Sequence, residues 1–257
     1  LRVIFLRNLT NGLYSRIVLI IFRRSKKLKM KNLTLLISAI LLCGLSYGQV
    51  TVNINPDKDN SIFSESGLES AALNHLYVGQ TCQANNRRAL IHFDIAGNVP
   101  AGVTITNVSL DMNNDKKGSG TTTETIFLHP LLADFGEGTS FSAGPGGMGA
   151  PAVAPDATWT DSQLGTAWTT PGGDFSASVA QTDVTALGTY TWTSAGMIAN
   201  VQSWLDAPAG NFGWMIIGDE STTCQARRFG SKDQGTAPVL SITYTCTGTV
   251  TASFWNK

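Results

Sequence analysis

Short runs in which apolar and polar residues alternate recur along the chain from residue 49 onward. Clear examples lie at residues 50–54, 103–110, 125–128 and 239–244. β-Branched and aromatic residues dominate these runs, and clusters of Gly, Asn, Asp, Ser and Thr separate them. Alternation with a period of two is typical of strands with one buried face. The chain is therefore predicted to be all-β, an antiparallel β-sandwich of jelly-roll-like architecture.

Two segments depart from this pattern. Residues 197–205 have helical spacing, with Val201 and Trp204 on one face, Ser194 as a candidate N-cap and Pro208 just beyond the end. One short helix is therefore predicted. Residues 134–173 are rich in Gly and Pro and carry no strand signal, which leaves two alternatives: a binding lobe at the surface, or a disordered loop.

The first 48 residues have a different character. Met30 and Lys31 precede an apolar run at residues 33–45, and small residues stand one and three places before Gln49. This order is typical of a bacterial signal peptide at residues 30–48, with residues 1–29 interpreted as upstream non-native translation. The alternative is a membrane anchor that includes residues 17–22, but five basic residues interrupt it. We therefore expect a secreted or cell-surface protein without a membrane span in its mature part.

The charge balance changes once that leader is set aside. Nine of the 18 basic residues and none of the 18 acidic ones precede Gln49, so the remainder carries a net charge of −9. Such a domain is a poor partner for nucleic acid or an anionic membrane. Residues 49–245 suffice for one large sandwich, and residues 246–257 are either a C-terminal tail or the start of a missing segment.

No catalytic motif is present. Zinc-protease, nucleophile-elbow and phosphate-loop patterns are all lacking, so a non-catalytic domain without a cofactor is expected. The three histidines, His75, His92 and His129, lie in strand-like runs and are interpreted as structural or surface residues. A carboxylate pair for glycoside chemistry depends on geometry, and a structural cation such as calcium stays open as an alternative role for acidic residues. The acidic residues concerned are Asp134, Glu137, Asp219 and Glu220.

Two distant parts of the chain carry similar short sequences, an echo of one segment in the other. The sequence TCQANNRR at residues 81–88 resembles TCQARR at residues 223–228. If the segments are neighbours, Cys82 and Cys224 form a disulfide, which export permits; two buried thiols are the alternative. Cys246 is then left over, and Cys43 leaves with the signal peptide.

Positive charge concentrates in and beside the same two segments. Five of the nine basic residues after residue 48 lie there, which suggests a site for a carboxylate or sulfate group. Alternation places His92 on one face with Arg88 and Leu90. Pairing with Asp219, Glu220 or Asp233 inside the protein is the alternative. The candidate anion-binding residues are Arg87, Arg88, His92, Arg227, Arg228 and Lys232.

Tryptophans offer candidate platforms for sugar rings. Trp204 and Trp214 lie in apolar patterns and are expected in the core. Trp159 and Trp168 lie in the Gly- and Pro-rich segment and are the better candidates, although a tryptophan is more often buried than used as a platform.

Eight short motifs, spread in order over residues 56–240, resemble one known family. In the first half they are PDKDNSIF at 56–63, LYVG at 76–79, RALIHFDI at 88–95 and PAGVTI at 100–105. In the second half they are VQSWL at 201–205, NFGW at 211–214, RFGSKD at 228–233 and PVL at 238–240. Together they resemble the DNRLRE-domain proteins, which are similar to carbohydrate-binding module family 96 and to disaggregatase-related domains.

The resemblance implies a secreted jelly-roll sandwich, often appended to enzymes or surface proteins, and it carries over no ligand residue. The expected function is a non-catalytic module that binds an extracellular polysaccharide, an anionic one such as alginate. Two alternatives remain: a structural or adhesive surface unit without a small ligand, and an accessory part of a glycan-degrading enzyme. Fold alone does not decide between them.

Overall fold

The computed structural model describes residues 48–65, 69–120, 123–141 and 147–245. The predicted upstream segment, almost all of the predicted signal peptide including Cys43, and the tail with Cys246 lie outside the described residues.

Fifteen strands and one α-helix make up the described chain. The strands are β1 (Gln49–Ile54), β2 (Lys58–Phe63), β3 (Glu69–Ser70), β4 (Leu76–Gln80), β5 (Asn86–His92), β6 (Thr104–Lys117), β7 (Glu124–Pro130), β8 (Ala150–Pro151), β9 (Asp161–Gln163), β10 (Thr166–Ala167), β11 (Ala180–Val184), β12 (Gly188–Thr193), β13 (Trp214–Ile217), β14 (Arg227–Phe229) and β15 (Val239–Thr245). Helix α1 (Ala195–Asp206) follows β12, and a 3-10 turn (Pro208–Gly210) follows the helix.

Thirteen of these strands form one large curled sheet, β9 and β10 form a separate two-stranded sheet, and every pairing is antiparallel. The order of the large sheet is β1-β15-β6-β14-β4-β5-β13-β7-β11, with β12 beside β6 and with β2 beside β5. Strand β4 lies where the sheet turns, since β14 pairs with one of its edges and β5 with the other. The two halves of the sheet therefore face each other as in a sandwich, and the prediction of an all-β sandwich-like fold is confirmed.

The main core fills the space between the two halves. Strand β5 contributes Ala89 and Ile91, β13 contributes Trp214, and β15 contributes Leu240, all of them fully buried. Burial of such apolar side chains supplies the largest favourable contribution to folding, about 1.5–3 kcal/mol for each fully buried large side chain.

Helix α1 closes one side of this core, as its sequence pattern predicts. The Ser194 hydroxyl accepts a hydrogen bond of 3.0 Å from the Met197 N–H and so caps the first turn. Val201, Trp204 and Leu205 are buried against the sheets. Among the described residues, no helix is long and apolar enough to span a membrane.

The Gly- and Pro-rich segment folds back over the outer face of β2, β5 and β13. Residues 134–141 and 147–173 are described, and they carry the short strands β8, β9 and β10. Phe135 and Trp168 from this segment pack with Leu90 and Met215 of the sheet in a second apolar cluster. The segment is therefore an ordered lobe where it is described, and it forms the walls of the cavities discussed below.

Candidate functional site

The two echoed segments lie on either side of β4. Arg87 of β5 is paired in register with Gly79 of β4, and Arg227 of β14 is paired with Val78. Just before these strands, Cys82 and Cys224 are joined by a disulfide whose Cα atoms are 4.1 Å apart. The predicted disulfide is confirmed, and the echo reflects two similar turns stapled together.

Arg87 and Arg227 do not form an anion site. Both are almost completely buried, at 3% and 1% exposure. The Arg87 guanidinium pairs with Glu65 and lies 4.7 Å from the centre of the Phe63 ring. Arg227 donates to the Gln225 carbonyl oxygen at 2.6 Å. Their assignment as ligand-binding residues is wrong, because each guanidinium is shielded from solvent and bonded within the protein.

Arg88 and Arg228 are partly exposed, but each guanidinium already forms a salt bridge with a carboxylate of the protein. Arg88 makes a two-point contact with Glu220, with N–O distances of 2.7 and 2.6 Å. Arg228 makes the same contact with Asp115, at 2.7 and 3.1 Å. The guanidinium N–H groups that an external anion would need for a two-point contact are therefore already bonded to carboxylates of the protein.

Lys232 is engaged in the same way. Its Nζ lies 2.5 Å from Glu137 Oε1 and 3.4 Å from Asp233 Oδ2. The predicted basic cluster is consequently not a single surface, because Arg88, Arg228 and Lys232 each form an ion pair with a different carboxylate. The alternative of internal pairing is the one that the structure supports, and Glu220 and Asp233 are among the partners.

The two tryptophans proposed as sugar platforms also make contacts within the protein. Trp168 is 5% exposed, and its Nε1 donates to the Thr158 carbonyl oxygen at 2.9 Å, so its assignment as a sugar platform is wrong. Trp159 is half-buried, and the Arg88 guanidinium stacks over its ring at 4.7 Å. Trp204 and Trp214 lie in the core, as predicted.

Two open pockets lie where the lobe meets the outer face of the sheet. The first, of about 490 Å³, is lined by Asp57, Lys58, His92, Asp134, Glu137, Ala209, Asn211 and Phe212. The second, of about 640 Å³, is lined by Arg88, Leu132, Ala133, Thr169, Thr170, Pro171, Gly173, Asp174 and Phe175. His92 and Arg88, four residues apart on β5, share the face that alternation predicts for them and belong to different pockets.

The polar groups of the first pocket hold one another in place. His92 Nδ1 lies 2.6 Å from Asp57 Oδ1, and its Nε2 lies 3.2 Å from the Asn211 carbonyl oxygen. Burial acts to raise the pKa of the Asp57 carboxyl, but the hydrogen bond and the charge of His92 outweigh it, so the pKa lies below its ordinary value. Lys58 Nζ bonds to Asp134 at 2.5 Å and to the Phe135 carbonyl oxygen at 2.7 Å.

A glycine fixes the aromatic wall of this pocket. Gly213 has φ = +82°, and a Cβ atom there would collide with the Ile91 carbonyl oxygen, so only glycine fits. The Asn211 side chain accepts from the Gly213 N–H at 3.2 Å and donates to the Phe93 carbonyl oxygen at 2.8 Å. This arrangement holds Phe212, half-buried, at the edge of the pocket.

The second pocket has a comparable mixture of groups. Asp174 accepts the N–H groups of Thr169 and Thr170 at 2.8 and 3.0 Å, which fixes the rim. Burial acts to raise the pKa of the Asp174 carboxyl, but the hydrogen bonds from Thr169 and Thr170 together outweigh it, so the pKa lies below its ordinary value. Arg88 Nη1 donates to the Gly172 carbonyl oxygen at 2.7 Å. Phe175 is half-buried and supplies an apolar surface beside these polar groups.

The sequence alone did not identify most pocket residues. Asn211, Phe212, Asp174 and Phe175 reach the pockets through loops, and the lobe aligns them with β5 only after folding. The one usable signal was the motif NFGW at 211–214, whose glycine predicts a special backbone conformation. The other histidines are structural: His75 pairs with Asp115 at 3.2 Å and His129 bonds the Ser176 carbonyl oxygen at 2.8 Å.

A buried carboxyl elsewhere does not line either pocket. Glu124 is 1% exposed and accepts the Asp219 N–H at 2.7 Å. Burial raises its pKa to about 7, against the opposing effects of that hydrogen bond and of the Arg227 charge. Because it faces the interior, this group has no access to a ligand in the pockets.

A scan of the chain against protein-family models found no match, and a search of curated proteins found no similar sequence. The resemblance to the DNRLRE-domain proteins stays a prediction from the motifs.

Proposed function

We propose that this protein is a secreted, non-catalytic carbohydrate-binding module of the DNRLRE type, and that the first pocket is its principal binding site. The observation that carries the proposal is the position of Phe212 beside fixed hydrogen-bonding groups of His92, Asp57 and Asn211 in an open cavity. Sugars present both an apolar ring face and hydroxyl groups, so a site with one aromatic wall and several polar groups suits them.

Preorganisation supports the same proposal. The polar side chains of the pocket are bonded to one another or to the backbone, so little rotamer freedom remains to be lost when a ligand binds. Along β5, Arg88 and His92 are about 13 Å apart at strand spacing. A ligand that touches both pockets is therefore longer than a monosaccharide, which favours a polysaccharide chain.

The charge of the first pocket favours a neutral polysaccharide over alginate. Asp57, Asp134 and Glu137 face it, against the single lysine Lys58 and the imidazole of His92. Since the arginines expected to attract an anion are paired with carboxylates, the basis for preferring an anionic chain is removed. Like charges at close range oppose binding of a uronate polymer.

Affinity electrophoresis through gels that contain a neutral β-glucan or alginate tests this proposal. The protein is expected to be retarded more by the β-glucan, and Phe212→Ala should weaken that retardation at least about tenfold, the equivalent of about 1.4 kcal/mol. Phe141→Ala is the matched control, because Phe141 is an exposed phenylalanine that lines neither pocket.

The other outcomes distinguish the remaining functions. Stronger retardation by alginate, unaffected by Phe212→Ala, would contradict the neutral site. Release of new reducing ends from the glucan would identify a glycan-degrading enzyme. Absence of retardation across a broad panel of glycans would favour a structural or adhesive surface unit.

A further inference from the structure

Three carboxylates meet beside the edge of β2, next to the first pocket, which one of them, Glu137, also lines. One oxygen each from Asp59, Glu137 and Asp233 lie within 4.8 Å of one another. They come from three distant parts of the chain: β2, the lobe, and the turn that follows β14. Close approach of three like charges is unfavourable unless a cation or a proton joins them.

Asp59 provides a second, independent observation. Its side chain is completely buried, and Oδ2 accepts the Lys232 N–H at 2.7 Å. The other oxygen, Oδ1, is also buried and has no hydrogen-bond partner among the described residues. A buried carboxylate oxygen without a hydrogen-bond partner is energetically costly, so an oxygen in this state indicates a missing partner.

Lys232 only partly compensates the cluster. Its Nζ contacts Glu137 and Asp233, but no bond joins it to Asp59 Oδ1. Three carboxylates and one ammonium leave an excess of two negative charges when all are ionised. The side chain of Lys232 is 24% exposed, so its ammonium group can turn to solvent when another cation enters.

We propose that Asp59, Glu137 and Asp233 form a binding site for a divalent cation of the calcium class. The donors are all carboxylate oxygens, which hard cations prefer, and the cluster contains no histidine or cysteine that would favour zinc. Calcium tolerates irregular geometry and completes its shell with water, whereas magnesium demands a near-ideal octahedron. The ion tethers β2, the lobe and the turn after β14 to one another.

The proton is the competing partner for this cluster. Burial raises the pKa of the Asp59 carboxyl to about 7, with the Lys232 N–H opposing this and the charge of Glu137 adding to it. A cation and a proton would each give the same buried oxygen a partner. The experiment must therefore distinguish cation binding from protonation of Asp59.

Isothermal titration of EDTA-treated, dialysed protein with CaCl₂, and separately with MgCl₂, tests the site, with thermal melting as a second readout. We expect saturable binding of one Ca²⁺ per chain, weaker binding of Mg²⁺, and a melting temperature that rises with calcium. Asp59→Asn should abolish binding. Asp233→Asn should weaken it at least about tenfold, and its exposed position keeps this variant folded even if Asp59→Asn unfolds the domain.

Two further variants sharpen the result. Lys232→Met removes the competing ammonium and should tighten calcium binding about tenfold, which a purely structural ion pair would not do. Asp183→Asn is the control, since this exposed aspartate bonds only Thr125 in the described structure and is not part of the cluster. The site does not depend on the proposed sugar-binding function, and glycan retardation is not needed to read the result.

Failure to bind calcium or magnesium saturably in both the wild-type protein and Lys232→Met would overturn the proposal. Binding that survives both Asp59→Asn and Asp233→Asn would overturn it as well. An absence of cation binding, together with a near-neutral titration that Asp59→Asn removes, would identify a shared proton in place of the ion.

Discussion

Arg88 lies between a carboxylate, a backbone carbonyl and an aromatic ring. Its guanidinium bonds Glu220 and Gly172 and stacks on Trp159, and Gly172 makes room for it because a Cβ atom there would approach Nη1 to 2.5 Å. Sequence reasoning correctly placed Arg88 and His92 on one face of a strand. It named Glu220, 132 residues away, as one of several alternative partners of the basic residues but could not decide among them, because the contact depends on the folded topology.

Replacing Arg88 tests whether its role is structural. Arg88→Ala leaves the half-buried Glu220 without its partner, so we expect the free energy of unfolding to fall by about 2–3 kcal/mol. Urea denaturation measures this, and Lys117→Ala, an exposed basic residue on β6, should stay within about 0.5 kcal/mol of wild type. An unchanged unfolding midpoint combined with weaker alginate binding would instead restore the anion-binding role.

Strand β4 is the element on which the two halves of the sandwich meet. The echoed turns before β5 and β14 flank it, and the Gln80 carbonyl oxygen accepts the N–H groups of both Gln225 and Ala226 at 3.0 Å. The longer strands were predictable from their period of two, because each has one buried face. Strands β8, β9 and β10 were not, since they are only two or three residues long; β9 and β10 pair with each other, and β8 pairs with β3.

The disulfide stabilises this junction through the unfolded state. Cys82 and Cys224 are 142 residues apart in sequence, so their link restricts a long loop and is expected to contribute about 4–5 kcal/mol in the chain-entropy account. The double variant Cys82→Ser, Cys224→Ser should unfold at a correspondingly lower urea concentration. Reductant should lower the wild-type midpoint to the same value and leave the variant unaffected. A midpoint that does not respond to reductant would count against the link.

At the scale of the whole molecule, the lobe gives one face of the sandwich a second apolar cluster and two pockets. The main core follows from the alternating pattern of the strands, and its location was predictable. The pockets were not, because Asp57, His92, Asp134 and Asn211 meet only when the lobe and the loop after helix α1 close over β5. The sequence indicated the lobe as a candidate binding region without indicating which residues it would bring together.

The most direct test of the central claim is a map of amide chemical shifts in isotopically labelled protein during titration with a soluble neutral β-glucan oligosaccharide. The proposed function predicts saturable shifts that centre on His92, Asn211 and Phe212 and extend to residues 169–175. Shifts confined to the face formed by β1 and β15 would contradict it. So would the absence of shifts with oligosaccharides of every glycan whose gels retard the protein.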